Sequence, residues 1–184
     1  MLTGDRVTLR PFATSDVEAI WYWYADHEFS TLDGNVYGAS RESIAAMVAS
    51  FGTPSFADVS LGICAEDSEL IGLVRLKRAL PEDRSADFGI AIAREQWNRG
   101  YGTDATRTML KFAFDEMNLH RVALGVLDYN ERARRCYQKC GFREEGRARE
   151  AKYRNGSWCD DIQMAILSHE WGAALEPTRS DTRT

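Results

Sequence analysis

The spacing of apolar positions changes period several times along this chain, and each change marks an element. Residues Arg6–Arg10 alternate and stop at Pro11, as a short strand does. Ser15, Asp16, Val17 and Glu18 then form a capping-box pattern, and Val17, Ile20, Trp21 and Tyr24 recur at i, i+3, i+4 and i+7. That spacing predicts an amphipathic helix with Tyr22 and Trp23 off its stripe. Residues 26–39 are polar and carry glycines, so they read as a long connection of the kind that holds recognition residues. Ser40 opens a second helix with Ile44, Met47, Val48 and Phe51 on one face, closed by Gly52, Thr53, Pro54 and Ser55. Val59–Ala65 and Leu70–Leu76 flank a polar turn and predict an antiparallel hairpin.

The stretch from Ser85 to Met117 organises the rest. Phe88, Ile90 and Ile92 alternate with Asp87, Gly89 and Ala91, a strand; from Ala105 the period lengthens to Met109, Phe112/Ala113 and Met117, a helix. The helix is entered through Gly100-Tyr101-Gly102-Thr103. First-turn N–H groups lack intrahelical acceptors and the dipole adds positive charge there, so this turn suits a phosphate. The same glycines also suit a plain strand-to-helix turn. Arg121–Leu127 alternates again and should run parallel to the strand before the helix. Asn130 opens a last helix with Ala133, Cys136, Tyr137 and Cys140 on its stripe and Gly141 as its stop. Arg143–Lys152 and Ser157–Leu167 pair around Asn155-Gly156. There is no internal repeat. Residues 1–172 read as a single domain and residues 173–184, rich in Pro, Thr, Ser, Arg and Asp, as a flexible tail.

Composition narrows the partners. The 184 residues are 44% apolar, enough for one sizeable core. No apolar run reaches membrane-span length and no leader pattern opens the chain, so the expected location is cytoplasmic and no membrane partner is expected. The net charge of −5 is uneven: residues 1–75 carry 11 acidic and 4 basic side chains, residues 76–184 carry 17 and 19. That split suits an acidic side facing a cation and a less acidic side facing an anionic cofactor, or simply solvated faces. A pI near 5.3 points away from nucleic acid. The four cysteines lack a CxxC spacing and the three histidines lie far apart, so no metal is expected.

Taken together, Trp97-Asn98-Arg99-Gly100-Tyr101-Gly102-Thr103 between strand and helix, followed by Asn130, Ala133, Tyr137 and Gly141-Phe142, resembles the GNAT-superfamily N-acetyltransferases. The similarity covers roughly residues 5–170 and is nearest to the branch holding ribosomal-protein N-terminal acetyltransferases and spermidine acetyltransferases. It implies an α/β (α+β) fold whose mixed, mainly antiparallel twisted sheet has about seven strands, with about four helices. It also implies acetyl-CoA as acetyl donor. Ile90, Ala91 and Ile92 would meet the pantetheine arm, Trp97 through Thr103 the pyrophosphate, and Asn130 the cofactor by its side chain. Tyr137 would face the thioester sulfur as general acid. The family usually begins the loop with Gln or Arg where this chain has Trp97.

The acceptor implied is a primary amine, on a peptide or protein N-terminus or a small molecule, attacking directly; no cysteine sits beside a histidine and an acid to form a covalent intermediate. An alkyl ammonium near pKa 10.4 is neutral about once in 2,500 molecules at pH 7, and an α-amino group near 7.8 in roughly one of seven, so a polyamine needs more help from a base. Asp87, Glu28 and Asp33 are the candidate bases, acting through water, and Glu28, Asp33, Trp23 and Tyr37 the candidate acceptor contacts. Arg75 stands where a polyamine enzyme of this branch is expected to carry an acid, which weighs against spermidine or spermine. The Tyr153–Trp158 hairpin offers an edge for a homodimer.

Each residue also has a plainer role. Asn130 suits an ordinary N-cap, Tyr137 a core position, and Gly89 and Ala91 a face under a packed helix. Two rivals stand beside acetyl transfer. Gly100-x-Gly102-x-x-Ala105 fits a dinucleotide turn with Asp128 on the ribose, but six residues separate it from Ala93 and no series of βαβ units follows. A module that binds acyl-CoA without chemistry is the other, and the presence of Tyr137 argues against it.

Overall fold

The computed structural model describes residues 1–35, 37–51 and 55–175. Its strands are β1 Leu2–Thr3, β2 Thr8–Arg10, β3 Val59–Cys64, β4 Leu70–Leu80, β5 Ser85–Ile92, β6 Arg121–Leu127, β7 Arg143–Arg154 and β8 Ser157–Leu167. They form one sheet in the order β1-β2-β3-β4-β5-β6-β8-β7, antiparallel throughout except for β5 and β6. The helices are α1 Val17–Ala25, α2 His27–Asp33, α3 Arg41–Phe51, α4 Tyr101–Lys111, α5 Glu131–Lys139 and α6 Ser168–Leu175. The mixed, mainly antiparallel α/β class is as expected; the described residues hold eight strands and six helices where about seven and four were anticipated.

Period-two alternation sorts each strand between two helical layers. On one face Phe88 of β5 joins Leu9, Ile63, Leu76, Val122 and Ile162 beneath Ala105 and Met109 of α4, Ala113 of the helical turn that follows it, and Trp171 of α6. On the other, Ala91 and Ala93 meet Ile20, Trp23, Phe29, Ile44 and Val48 of the first three helices. The start of the chain is tied to α4 by one carboxylate: Asp104 accepts the N–H groups of Asp5, Arg6 and Val7 at 3.1, 2.8 and 3.0 Å. Only glycine fits at position 4, because a Cβ there would lie 2.5 Å from Thr108 Oγ1 and 2.6 Å from Asp104 Oδ2.

The sheet splits between β5 and β6. Their parallel pairing covers only Ser85–Asp87 against Arg121–Ala123. Beyond it β5 stays with β4 as far as Ile92, while β6 stays with β8 through Leu127. Two well-paired halves, each with its own twist, therefore diverge and leave the second half of β5 without a neighbour on that edge.

Three local expectations need correction. The first half of the anticipated 26–39 loop is α2, because Asp26 Oδ1 accepts the Phe29 N–H at 2.8 Å and Gly34, at φ +89°, ends the turn. Ser15 does not cap α1; instead Asp16 accepts the Ala13 N–H at 2.7 Å and pairs with Arg10 at 2.8 Å from the buried start of the helix. Residues 173–175, read as part of a flexible tail, complete α6. The helix stop at Gly52–Pro54 and the tail beyond Leu175 lie outside the described residues. The Asn155-Gly156 turn forms as anticipated, with both residues at positive φ.

Candidate active site

The loop leaving β5 makes one 3₁₀ turn, Arg94–Gln96, and reaches α4 through Asn98 at φ +60° and Gly100 at φ +84°. Gly100 is the N-cap residue, its carbonyl accepting the N–H groups of Thr103 and Asp104 at 3.1 Å each. Among the described residues, the N–H groups of Asn98, Arg99, Gly100, Tyr101 and Gly102 have no acceptor. Five unsatisfied donors at the start of an eleven-residue helix form a cradle for an anion, strengthened by the helix dipole.

A cleft of about 320 Å³ leads from this cradle along the free edge of β5 to α2. Ala93 N–H bonds to Ile71 O on β4, so strand alternation turns the N–H and C=O of Ile90 and Ile92 toward the split. The Ile92 carbonyl already accepts the Trp97 indole N–H at 2.7 Å, which pins the loop to the strand. The N–H and C=O of Ile90 remain for an extended, amide-bearing ligand.

Tyr137 lines the same cleft from α5, its ring held edge-on to Phe88 at 6.2 Å and tilted against Phe142 at 5.7 Å. Burial, with the neighbouring Cys136 thiol adding to it, pushes the Tyr137 hydroxyl well above the usual tyrosine range. Its phenol is therefore a proton holder and hydrogen-bond donor at any physiological pH. Asn130, which also lines the cleft, caps α5 by accepting the Ala133 N–H at 3.2 Å.

Ile90, Ala91, Ile92, Trp97, Asn98, Gly100, Tyr101, Gly102, Thr103, Asn130 and Tyr137 all line this cleft, as the sequence reading grouped them. Arg99 does not; its carbonyl instead accepts from the Arg6 guanidinium. The candidate acceptor and base residues are scattered. Asp33 reaches the cleft, but it accepts the Tyr24 hydroxyl and pairs with Arg75 at 3.0 Å, the two side chains only 11% and 12% exposed. Glu28 pairs with Arg94 at 3.3 Å on the outer side of α2, and Asp87 is held by Arg78. Trp23 is buried against Phe29, and Tyr37 is 96% exposed; neither lines a described cleft.

Three contributions were missed. Phe29 and Leu32 of α2 form a wall that the loop reading of residues 26–39 concealed. Arg132, Arg135 and Lys139 bring cations to the cleft from one face of α5, and their i, i+3, i+7 spacing was the available signal. Arg132 lies over the Trp97 ring, 3.2 Å from its centroid, where burial lowers its pKa. Cys136, placed by its spacing on the stripe of α5, is half-buried and lines the cleft, with its sulfur 3.4 Å from the Thr103 hydroxyl.

On the other side of the split, a second cleft of about 510 Å³ lies between α2, the diverging strands and the β7–β8 hairpin. Asp33 and Asn130 belong to both clefts, so the two meet beside them. The arrangement can hold a long anionic ligand on one side of the sheet opening and present its end to a second molecule on the other.

Comparison with known proteins agrees with this geometry. Residues 6–143 match the family described as Acetyltransferase (GNAT) domain. The chain is 36% identical over 105 residues to the "Putative ribosomal N-acetyltransferase YdaF" of Bacillus subtilis, a match spanning 57% of either chain. It is 37% identical over 108 residues to the spermidine N(1)-acetyltransferase of Vibrio cholerae, covering 58% of this chain and 62% of that one. The chain thus spans under two thirds of these two relatives. The crystal structure of spermidine N-acetyltransferase from Vibrio cholerae in complex with CoA and spermine superposes with a TM-score of 0.82 at 28% identity, covering 90% of this chain and 97% of that chain.

Proposed function

The chain belongs to the GNAT acetyltransferase family, and from that premise we propose that it moves an acetyl group from acetyl-CoA to the nitrogen of a primary amine by direct attack. One observation carries the reading: the open N–H groups of Asn98, Gly100, Tyr101 and Gly102 and the side chain of Tyr137 line a single cleft, joined by the free edge of β5. The cradle suits a diphosphate, the Ile90 edge an amide-bearing arm, and the cations of α5 further phosphate charge. Acetyl-CoA, when bound, supplies the activated acetyl group.

The residues divide the chemistry between them. Tyr137 holds a proton on its hydroxyl oxygen and offers it as a hydrogen bond to a departing thiolate. Against a thiol near pKa 8.5, even an ordinary tyrosine near 10 would give up that proton about 2 kcal/mol uphill. Burial raises the tyrosine further, so stabilising the thiolate by a hydrogen bond matters more than complete transfer. The amine loses its proton to water rather than to a free carboxylate, since Asp33, Asp87 and Glu28 each sit against an arginine.

A polyamine acceptor is the second reading, favoured by the Vibrio cholerae relatives. Four free thiols fit a cytoplasmic setting, and the exposed, edge-on Tyr153–Trp158 pair at 5.2 Å on the edge hairpin fits a contact between two copies. Thiol release from acetyl-CoA, followed with a panel of peptide and small amines, tests the proposal. Amine-dependent release with a mass gain of one acetyl group on the acceptor supports it. Tight CoA binding without transfer to any amine would overturn it in favour of a binding module.

A further inference from the structure

We infer that the acceptor is a primary amine that also carries a carboxylate, held by Lys77 and Arg154 in the cleft opposite the cofactor side. This rests on the acetyl-transfer reading and narrows its acceptor. The second cleft is lined by four carboxylates and four cations, but they are not equally free. Asp33 is taken by Arg75 and the Tyr24 hydroxyl, Asp87 by Arg78, and Asp161 by Gln163 at 2.9 Å and Lys152 at 3.9 Å. Asp58 remains, on the exposed rim.

Of the four cations, Arg78 and Lys152 are thereby taken and two remain. Among the described residues, neither Lys77 nor Arg154 has a carboxylate within ion-pair distance, and both line the cleft. Arg154 comes over Gly34 at the end of α2, with its Nε buried and without a partner. Lys77 projects from β4 on the same face as Arg75, opposite Asp87, and burial together with Arg75 lowers its pKa against the weaker opposing pull of Asp33 and Asp58. Opposite Arg75 on β5, Gly89 leaves open space where a side chain would stand. Two partly desolvated cations without an ion-paired carboxylate are costly, and a carboxylate entering the cleft that both line relieves that cost. A polyamine would instead bring its second ammonium group to the same two cations, with the buried Asp33 already neutralised.

The test uses matched acceptors differing by one charge: β-alanine against its amide, and the peptide amide Ala-Glu-NH2 against Ala-Gln-NH2, with spermidine as the third arm. Binding to the CoA-loaded protein is measured by calorimetry, and acetylation by thiol release. The expected result is a preference of roughly ten-fold or more for the acid of at least one pair, the scale of one charge-assisted hydrogen bond. The pair showing it tells a free amino acid from a peptide. In Lys77→Met and Arg154→Met the acid-to-amide ratio should fall toward one while CoA affinity is kept. Equal binding of acid and amide in both pairs, or tighter binding of spermidine, would overturn the inference even with acetyl transfer intact. Acid-selective binding without acetylation of any amine would leave this carboxylate site standing and remove the acetyl-transfer reading instead.

Discussion

The indole N–H of Trp97 donates to the carbonyl oxygen of Ile92 at 2.7 Å, closing the loop between the free strand edge and the anion cradle onto the strand it leaves. The same ring carries the Arg132 guanidinium on its face. One aromatic side chain thus sets the distance between the Ile90 edge and the cradle and anchors a cation beside them.

Trp97→Phe keeps a ring for Arg132 but loses the hydrogen bond to Ile92. One net hydrogen bond is worth about 1 kcal/mol, so KM for acetyl-CoA should rise about five-fold with kcat nearly unchanged. A steady-state titration of acetyl-CoA at saturating amine checks it. A fall in kcat alone would mean that the tryptophan does not position the loop.

Tyr137→Phe should lower kcat by roughly 100-fold, the lower range for losing a positioned acid, and barely change thermal stability because Phe88 and Phe142 still clamp the ring. In the parent enzyme, rate should climb with pH as the amine loses its proton. Burial holds the Tyr137 phenol protonated above the ordinary tyrosine range, so no descending limb from this group should appear near pH 10. A descending limb there that disappears in Tyr137→Phe would show that the phenol is not shielded.

Cys136 should be the first thiol alkylated. Interaction with Cys140 and with the Thr103 hydroxyl, 3.4 Å from its sulfur, lowers its pKa, whereas Cys140, whose thiol donates to the Thr103 carbonyl, is driven the other way by the same pairing and by burial. Iodoacetamide at pH 7.5 with peptide mass mapping should mark Cys136 ahead of Cys140, and CoA should slow the labelling because the sulfur lines its cleft. Equal labelling of both cysteines would contradict the assignment.

How far the chain could be read in advance depended on the range of the cause. The cradle was legible because Gly100, Tyr101 and Gly102 act through their own backbone, and the β5–β6 parallel pair because a strand, helix and strand admit few topologies. The splitting of those strands was not, since it arises from how β4 and β8 hold their neighbours. Carboxylates were the hardest. Asp33, Asp87 and Glu28 looked like free bases in sequence, but Arg75, Arg78 and Arg94, 42, 9 and 66 positions away along the chain, neutralise them. Helix α2 went unread although Asp26 and Gly34 bracket it, because its short, polar run gives a weak period.

Acid stability should depend on Asp16. Burial by itself would raise its pKa, but hydrogen bonds from Arg10 and the Ala13 N–H outweigh that and hold it below the ordinary aspartate value. A depressed folded-state pKa means that the unfolded chain binds the proton more readily. The stabilisation is therefore complete above the unfolded value of about 3.9 and is lost as pH falls through the lower, folded value. Asp16→Asn leaves the half-buried Arg10 facing a neutral amide, so it should be less stable than the parent at pH 7 and converge toward it as pH falls below the unfolded value of about 3.9. Urea titrations at pH 7, 5 and 3 measure this. A stability difference of the same size at all three pH values would locate the effect in packing, and the Arg10 pair would then have no part in the acid response.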